Sequence, residues 1–568
     1  MGRAAILVRR LARERRLVAL VAVVVAVAVV ASIVVPRGPD TTTTVALTVS
    51  ASSEPGTTGL VIRIALDGRG ASGLAVTATL PADVVASASG EPRPNVSATR
   101  VRWDGSAVTG TAPLAIVFAP RAADGGATVF QQAATDVVAT WSDGAGTHET
   151  RATLPLNGLW AEDGLRRTVL PTGLTVLTRE RPDSTTVSVR VAVRAGGRDE
   201  DDRTCGGSHW LEHAHFLGTP TLPNNQAIFG AIGEVGGQSN AATSYEWTDY
   251  WHLVPDDGFD IALSVLADQL INSTFRPELF LRERSVVQQE HKLRNDNPSI
   301  RSFDSFIPLV FSVSPLRRGP PDPKCLDAIS VDQILAYHQT RYVTGNMAVA
   351  ASGALRHDEA VAKIAAAFAK MPTGPLITRA RVPEPIETDL RRLVIGSGNG
   401  TAEIRLGWPG PGTNDADAAP LRILEEILGV TGRRLSEDLR DRRSIAAAVS
   451  ANYLGYSDAG VMLLSATTTG PRVDDVVAAL TAQIARVRAG EVSEDDVAAS
   501  VRAIEGRAAI TDEPNLTQTA RAEAEVGVGL LSRAESLARL RTVRAADVVR
   551  VAKTYLDPAA YTLVVVRP

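Results

Sequence analysis

The chain has 568 residues, of which 45% are hydrophobic and 21% are charged, and its formal net charge is −4 at pH 7. This length exceeds what one compact core supports, so we expect several structural units, and the near-neutral charge excludes the basic field of a nucleic-acid-binding protein. Two cysteines, Cys205 and Cys325, are too few for a disulfide-rich scaffold or a multi-cysteine zinc site. They could pair in an oxidising compartment, but the sequence leaves open whether they meet.

The first 35 residues predict a membrane anchor. Residues 1–16 contain six arginines and one acidic residue, and residues 17–35 form an uncharged, apolar run of 19 residues. Such a run crosses a hydrocarbon core of about 30 Å as a helix, and its basic flank favours a cytoplasmic N-terminus. The alternative is a cleaved signal peptide ending near Ala28, but that site lies inside the run. We therefore expect a single-pass cell-membrane protein whose bulk is extracytoplasmic.

Residues 36–44 are rich in Pro, Gly and Thr and indicate a linker. Residues 45–158 then contain short alternating runs separated by Gly, Asp, Ser and Pro, which is typical of strands in a β-sandwich. No cluster of His, Cys or acidic residues stands out there, so we interpret this region as a spacer or an interaction module.

Residues 163–375 show an α+β pattern. We predict strands at 174–178, 187–193, 238–243, 247–254 and 347–352, and helices at 224–235, 257–272, 277–295, 331–341 and 357–370. After a linker at 376–390, residues 391–568 repeat this order of elements, with a closing helix and strand at 543–566 that parallel residues 329–352. The fold class is therefore α+β: two tandem homologous domains, each an antiparallel sheet with helices packed on it, after a transmembrane helix and a β-sandwich-like domain.

The segment His209-Trp-Leu-Glu212-His213 reads H-x-x-E-H. On a helix, positions i and i+4 share one face, so two imidazoles there can ligate one Zn²⁺ with Glu212 beside it. The alternative is a partly buried helix that carries histidines by chance. A zinc site needs a third protein ligand, and Glu283 and Glu290 share one face of a later predicted helix. An Arg/Glu-rich run such as theirs is also typical of a solvated face.

These motifs resemble the pitrilysin (M16) family of zinc metallopeptidases, the inverzincins, in its two-domain processing-peptidase form. Residues 206–219 resemble the family's G-x-A-H-x-x-E-H-x-x-F-x-G-T, with Ser208 at the Ala position, and residues 236–250 resemble its G-G-x-x-N-A-x-T…T-x-Y. Glu290 follows His213 by 77 residues and Glu283 precedes Glu290 by seven, as in the family. The resemblance covers residues 165–568.

The resemblance implies a zinc endopeptidase with one Zn²⁺ per chain, held by His209, His213 and Glu290. It implies that Glu212 is the general base towards the water on the zinc, and that Glu283 orients a ligand. It also implies that an exposed strand binds the substrate backbone by β-addition. The residues expected to bind substrate are Gly237, Ser239, Asn240, Ala241 and Arg440.

One position departs from the family pattern. In the family, the second domain often carries an arginine and, seven residues later, a tyrosine. This chain has Arg440 and Ala447 at these positions. Tyr453 or Tyr456 could substitute, or a partner subunit could supply the pair.

The family's chamber needs four such domains, so a homodimer or a related M16-like partner is implied, with peptides or unfolded polypeptides as substrate. The alternative function is a catalytically weak peptide-binding or scaffolding subunit that needs a partner chain. The remaining histidines near the motifs are interpreted as structural or surface residues: His215, His252, His291 and His338.

Overall fold

A computed structural model describes ten strands between residues 31 and 155, and residues 165–568 apart from 319–322, 397–399, 431, 513–514, 528, 530 and 532. Contacts divide the chain into two units, residues 1–119 with 134–160 and residues 120–133 with 161–568.

The described residues of the first unit form β-strands. They form two five-stranded sheets, with orders β1-β2-β3-β8-β5 and β10-β9-β4-β7-β6. The buried side chains of Val76, Trp103 and Val137 form part of its core. The alternating runs of the sequence are confirmed as strands, and the sandwich packing of the two sheets stays a prediction. The strands are β1 (Ala31–Ser32), β2 (Ala46–Ser53), β3 (Leu60–Asp67), β4 (Ser72–Thr79), β5 (Val84–Ser89), β6 (Asn95–Val96), β7 (Arg100–Asp104), β8 (Leu114–Pro120), β9 (Ala134–Asp143) and β10 (Gly146–Pro155).

The predicted membrane segment falls almost entirely outside the described residues. Only Ala31 and Ser32 of its apolar run are described, and they form β1, paired with Val49 and Thr48 of β2. The helix prediction is wrong at these two positions, because a Val-rich run also suits an extended strand. Among the described residues, no helix is both long and apolar enough to cross a membrane.

The N-terminal half of the second unit (residues 165–375) is built on a six-stranded sheet of order β11-β12-β16-β13-β15-β14. The predicted helices and strands of this half are confirmed, with ends that differ by a few residues. Its strands are β11 (Leu165–Val169), β12 (Thr175–Glu180), β13 (Thr186–Val193), β14 (Gln238–Thr243), β15 (Thr248–Pro255) and β16 (Met347–Gly353). Its helices are α1 (Gly207–Ala214), α2 (Asn225–Gly233), α3 (Phe259–Asn272), α4 (Pro277–Asp296), α5 (Pro298–Val310), α6 (Pro323–Ala328), α7 (Val331–Arg341) and α8 (His357–Ala367).

The C-terminal half (residues 391–568) repeats this plan with a sheet of order β17-β21-β18-β20-β19. Each sheet contains one parallel pair, β12–β16 and β17–β21, so the prediction of purely antiparallel sheets is wrong at that pair. The cause is connectivity, since the paired strands lie at opposite ends of each half. The strands are β17 (Arg391–Gly396), β18 (Ala402–Gly410), β19 (Ala448–Gly455), β20 (Gly460–Thr468) and β21 (Thr562–Arg567). The helices are α9 (Ala418–Glu425), α10 (Val473–Arg488), α11 (Glu494–Arg507), α12 (Leu516–Gly527), α13 (Arg533–Thr542) and α14 (Ala545–Tyr555).

The two halves exchange helices. Helix α5 packs on β18 and β21 of the C-terminal half, and α12 packs on β12, β13 and β16 of the N-terminal half. Phe306 and Ile307 of α5 share a buried cluster with Val461 and Val564, while Ala524 of α12 lies against the other sheet. Burial of these apolar surfaces joins the halves into one body.

A buried polar cluster, here named the interdomain clamp, also joins the halves: Arg198, Glu246, Ser457 and Asp458. Arg198 donates to Glu246 at 2.6 Å and to both carboxylate oxygens of Asp458 at 2.7 and 2.8 Å. The backbone N–H of Ser457 donates to Glu246 at 2.8 Å. The clamp thus fixes the turn between β14 and β15 against the turn between β19 and β20.

Candidate metal centre

Helix α1 carries the H-x-x-E-H residues. Trp210, Leu211 and Ala214 are buried in the core, and the Trp210 indole donates to the carbonyl of Phe280 at 3.0 Å. His209 and His213 lie on a less buried face. The helix starts after Gly206, whose φ of 75° suits glycine, and this N-cap residue has no side chain to cap the helix. Glu200 caps it instead, since its carboxylate accepts the N–H groups of Gly206 and Ser208.

Helix α4 carries the two glutamates predicted to complete the site. Phe280 and Val287 are fully buried, and the Phe280 ring packs on Trp210 at a centroid distance of 4.3 Å. This contact holds α4 against α1. Glu283 and Glu290 lie two helical turns apart and both reach the histidines of α1, at the distances given below.

His209, His213 and Glu290 converge on one point, with candidate donor atoms all within 4.8 Å of one another. The Glu290 Oε2 atom lies 3.6 Å from His209 Nε2 and 3.5 Å from His213 Nε2. Tetrahedral zinc with bonds of about 2.0–2.1 Å separates neighbouring donors by about 3.4 Å. Two imidazoles and a carboxylate at this spacing therefore fit Zn²⁺, with one position left for water.

Burial and hydrogen bonds shift the pKa values of all three groups. Burial lowers the pKa of His209 to about 4, and a hydrogen bond to His213 lowers that of Glu290 to about 2. Burial also depresses the pKa of His213, but hydrogen bonds to Glu283 and Glu290 outweigh this and raise it to about 9. Glu283 holds the Nδ1 atom of His213 at 2.9 Å, which leaves Nε2 for a metal. Metal binding would displace a proton from His213.

Glu212 lies beside this triad and is buried. The Thr243 hydroxyl donates to Glu212 Oε2 at 2.6 Å, which fixes the orientation of the carboxylate. Burial raises the pKa of Glu212, although the Thr243 hydrogen bonds oppose the shift. A raised pKa suits a group that accepts and returns protons near neutral pH. The sequence reasoning missed Thr243 as a functional residue, although it closes the quoted G-G-x-x-N-A-x-T motif.

Strand β14 is an edge strand that runs up to the site. A pocket of about 320 Å³ lies between β14, α1 and α4 and includes His209, Glu212 and Ala241. Gly237, Ser239 and Asn240 lie further along β14 or just before it and do not line this pocket. A Cβ at Gly237 would approach Val254 and Ile232 to less than 3.0 Å, so this position suits glycine.

The arginine and tyrosine positions of the second domain are not brought to the pocket. Arg440 is exposed and binds Asp441 at 2.8 Å, and Ala447 is exposed just before β19. Tyr453 is buried and donates to the Pro411 carbonyl at 2.6 Å, so its hydroxyl has a structural partner. The Tyr456 ring packs on Tyr245, which lines the pocket, at 5.4 Å.

The other histidines divide into two groups. His291 lines the pocket, with its ring 5.9 Å from that of His209, so its interpretation as a bystander without spacing to the site is wrong. It reaches the site because it follows Glu290 on α4. His215 is fully buried and its Nδ1 atom bonds the Gln269 carbonyl at 3.0 Å, while His252 and His338 are also covered by neighbouring residues.

The two cysteines meet. Cys205 and Cys325 form a disulfide with a Cα–Cα distance of 6.0 Å, which settles the question that the sequence left open.

The fold and the site define a two-domain α+β chain with an inverted zinc-ligand motif. The family model for "Insulinase (Peptidase family M16)" matches residues 175–316, and that for "Peptidase M16 inactive domain" matches residues 328–504. A probable mitochondrial-processing peptidase subunit beta from Arabidopsis thaliana is 30% identical over 409 residues, which cover 69% of this chain and 76% of the relative. An uncharacterised zinc protease from Mycobacterium leprae is 31% identical over 342 residues, 58% of this chain and 75% of the relative. The chain belongs to peptidase family M16.

Solved structures agree in fold. A protease from Helicobacter pylori superposes with a TM-score of 0.64 at 21% identity, over 71% of this chain and 99% of that chain. A peptidase M16 inactive domain from Pseudomonas fluorescens gives 0.65 at 17% identity, over 71% and 98%. At such identities the likeness establishes the two-domain fold alone.

Proposed function

We propose that this protein is a membrane-anchored, exported, zinc-dependent endopeptidase that hydrolyses peptides or unfolded polypeptide segments. One observation carries the proposal: His209, His213 and Glu290 converge with zinc-ligand spacing, and Glu212 lies beside them. Relatives named zinc proteases support the choice of metal.

The substrate class follows from β14. Its outer edge has no neighbouring strand within the described sheet, so its backbone groups can pair with an added strand. Only an extended chain can pair in this way, which favours peptides and unfolded segments over folded proteins. Ala241 would lie opposite the substrate residues nearest the metal, and Gly237, Ser239 and Asn240 opposite residues further away.

The chemistry rests on Glu212 and its neighbours. Zinc held by the triad would polarise the scissile carbonyl and acidify water. Glu212 accepts the proton of the attacking water and passes it to the leaving amine, and Thr243 keeps the carboxylate oriented for both transfers. Glu283 keeps His213 in the tautomer that presents Nε2.

Export and anchoring rest on the N-terminal sequence. The arginine-rich segment and the apolar run after it support a cytoplasmic N-terminus and an extracytoplasmic bulk. The disulfide supports the same assignment, because disulfides persist in oxidising compartments.

A partner completes the proposal. The metal site is open to solvent, since the Glu290 side chain remains 43% exposed. A second copy or a related M16-like subunit would cover the open side and could present its own counterpart of Arg440. The relative named as a processing-peptidase subunit supports this arrangement.

The test compares the purified full-length chain with two variants. Glu212→Gln should keep about one zinc per chain and lose activity on a peptide library by about a hundredfold or more, because the general base is removed. Glu290→Gln should lose zinc and activity together. Glu278→Gln, an exposed residue on the same helix as Glu290, is the matched control and should retain both.

A second candidate function is a peptide-binding or scaffolding subunit, which Ala447 and the distant Arg440 favour. If the wild type binds zinc and peptides but cleaves no better than Glu212→Gln, the peptidase proposal fails and the binding function replaces it.

A further inference from the structure

The short helix α6 connects to both helices that carry the metal-site residues. On one side, Cys325 of α6 is bonded to Cys205, which lies one residue before Gly206 and four before His209. The covalent bond therefore ends at the start of α1.

On the other side, α6 is attached to α4. Gln288 donates to Asp327 at 2.7 Å, and Leu326 is fully buried in the core. Arg284 donates to the Leu326 carbonyl at 3.5 Å, and its guanidinium lies 5.7 Å from the centre of the Trp210 ring of α1. Arg284 is adjacent to Glu283 and Gln288 precedes Glu290 by two residues, so α6 bridges the segments that supply all three ligands.

We infer that the Cys205–Cys325 disulfide positions the metal ligands, and that its redox state sets the metal affinity of the site. The inference rests on the proposed zinc site. Helix α1 has only eight residues and a glycine N-cap without a side-chain cap. So short a helix is held in place by its attachments and not by its own stability. The attachments at its start are the disulfide, the Glu200 carboxylate and the hydrogen bond between the hydroxyls of Ser208 and Tyr337.

Reduction removes one of them. A dithiol transfers two electrons and two protons to the sulfur–sulfur bond, which breaks to give the Cys205 and Cys325 thiols while the dithiol closes to its own disulfide. Freed from Cys325, the start of α1 keeps the Glu200 hydrogen bonds and the Ser208–Tyr337 hydroxyl contact at 3.0 Å, but it loses its covalent link to α6. His209 and His213 then lose part of their preorganisation towards Glu290. The site would bind metal weakly in a reducing compartment and tightly once the chain is exported and oxidised.

The experiment measures zinc affinity of the full-length chain by competition with a chromophoric chelator, oxidised and after treatment with dithiothreitol. Loss of supporting contacts at metal sites weakens binding by about 10–100-fold, and we expect that range on reduction. By linkage, bound zinc must shift the equilibrium between the two thiols and the disulfide towards the disulfide by the same factor. A tenfold effect moves the midpoint of a thiol–disulfide titration by about 30 mV. A disulfide that only stabilised the fold would show no such zinc-dependent midpoint.

Variants separate this effect from ligation by a free thiol. Cys205→Ser with Cys325→Ser should bind zinc as weakly as the reduced wild type and ignore reductant. Gln288→Ala, which cuts a hydrogen bond between α6 and α4, should weaken binding in the same direction but less. Gln289→Ala, its exposed neighbour, should not. The Co²⁺-loaded spectrum reports ligand geometry in each form.

Equal zinc affinity in the two redox states, with a midpoint independent of zinc, overturns the inference while the peptidase proposal stands. Absence of zinc binding in both states would instead defeat the proposed function. If the double variant does not fold, the redox titration of the wild type decides alone.

Discussion

The two halves of the second unit have the same topology and different chemistry. Strands β12, β16, β13, β15 and β14 of the N-terminal half correspond in order and direction to β17, β21, β18, β20 and β19 of the C-terminal half. Among the residues that the structure describes, the metal triad lies in the N-terminal half alone, and the sequence contains no histidine after His357. The shared fold thus depends on apolar periodicity, while the site depends on a few polar residues added to one copy.

In the C-terminal half, helix α9 follows β18, the strand equivalent to β13, and it carries other residues in place of the metal ligands. Helix α9 and the turn after it contain Arg422, Glu425 and Glu426. Burial raises the pKa of Glu425 to about 7, and Glu426 is paired with Arg507. The Glu426 carboxylate thus forms an ion pair here, and no histidine of the sequence lies in this half to complete a site of the kind found on α1.

The C-terminal half instead supports the site from outside. Glu246 of the interdomain clamp lies three residues after Thr243, which orients Glu212. Through Ser457 and Asp458, the C-terminal half therefore fixes the end of β14 where the substrate would bind. This comparison assigns chemistry to one half and positioning to the other.

Breaking the clamp should have the largest effect. Arg198→Met leaves Asp458 without its cation and leaves Glu246 with only the Arg379 guanidinium at 3.9 Å, and loss of one partner from a buried ion pair costs about 3–5 kcal/mol. We expect a free energy of unfolding lower by that order in urea titrations, with increased hydrogen exchange in both turns that the clamp joins. Arg392→Met, which removes an exposed ion pair with Asp474, should cost at most about 1 kcal/mol. Equal costs for the two variants would contradict the positioning role.

Acid should destabilise the N-terminal half more than the C-terminal half. Burial lowers the pKa of His252 and of His357 to about 4, against about 6.5 in an unfolded chain. Between these pH values the unfolded state binds more protons than the folded state. The stability that these two histidines contribute is therefore complete above about pH 6.5 and falls as the pH drops towards 4. From pH 7 to 5 each histidine should cost about 1–2 kcal/mol.

Hydrogen exchange with EDTA present, corrected for intrinsic rates, measures this difference between the halves. His357 bonds Thr178 and Thr168 at 2.6 and 2.9 Å, and His357→Gln should flatten the pH dependence of unfolding. A C-terminal half that loses protection first on acidification would refute the assignment.

The sequence predicted most of the metal site because its geometry is local. His209 and His213 are one turn apart, and Glu283 and Glu290 are two turns apart, so helix periodicity alone places each pair on a face. The family spacing then joined the two pairs. Thr243 and Glu200 were missed because they reach α1 from separate segments, and no periodicity marks such contacts.

The rest of the fold depends on long-range packing. Cys325 lies on α6, 120 residues after Cys205, so whether the two cysteines meet depends on where α6 packs. The exchange of α5 and α12 between the halves could not be predicted either, because the apolar face of an amphipathic helix does not specify which sheet it covers. The pairing of Ala31 and Ser32 in a sheet was not predicted, because both residues belong to an apolar run that also suits a membrane helix.

Restoring the family's tyrosine should give the smallest effect. Ala447 is exposed, so Ala447→Tyr should change the free energy of unfolding by no more than about 0.5 kcal/mol. One added hydrogen bond to the transition state is worth about 1 kcal/mol, so we expect kcat/KM to rise about fivefold with zinc content unchanged. Ala448→Tyr, at the adjacent exposed position, is the matched control.

Because Ala447 does not line the pocket of its own chain, the gain should come from a second copy. A chain carrying both Glu212→Gln and Ala447→Tyr has no general base but still offers the tyrosine. Mixed with wild type, it should raise the activity of the wild-type sites above that of wild type alone, and the gain should vanish on dilution to monomers. A gain from Ala447→Tyr that persists in monomers would place the tyrosine in its own chain's site and remove the need for a partner at this step.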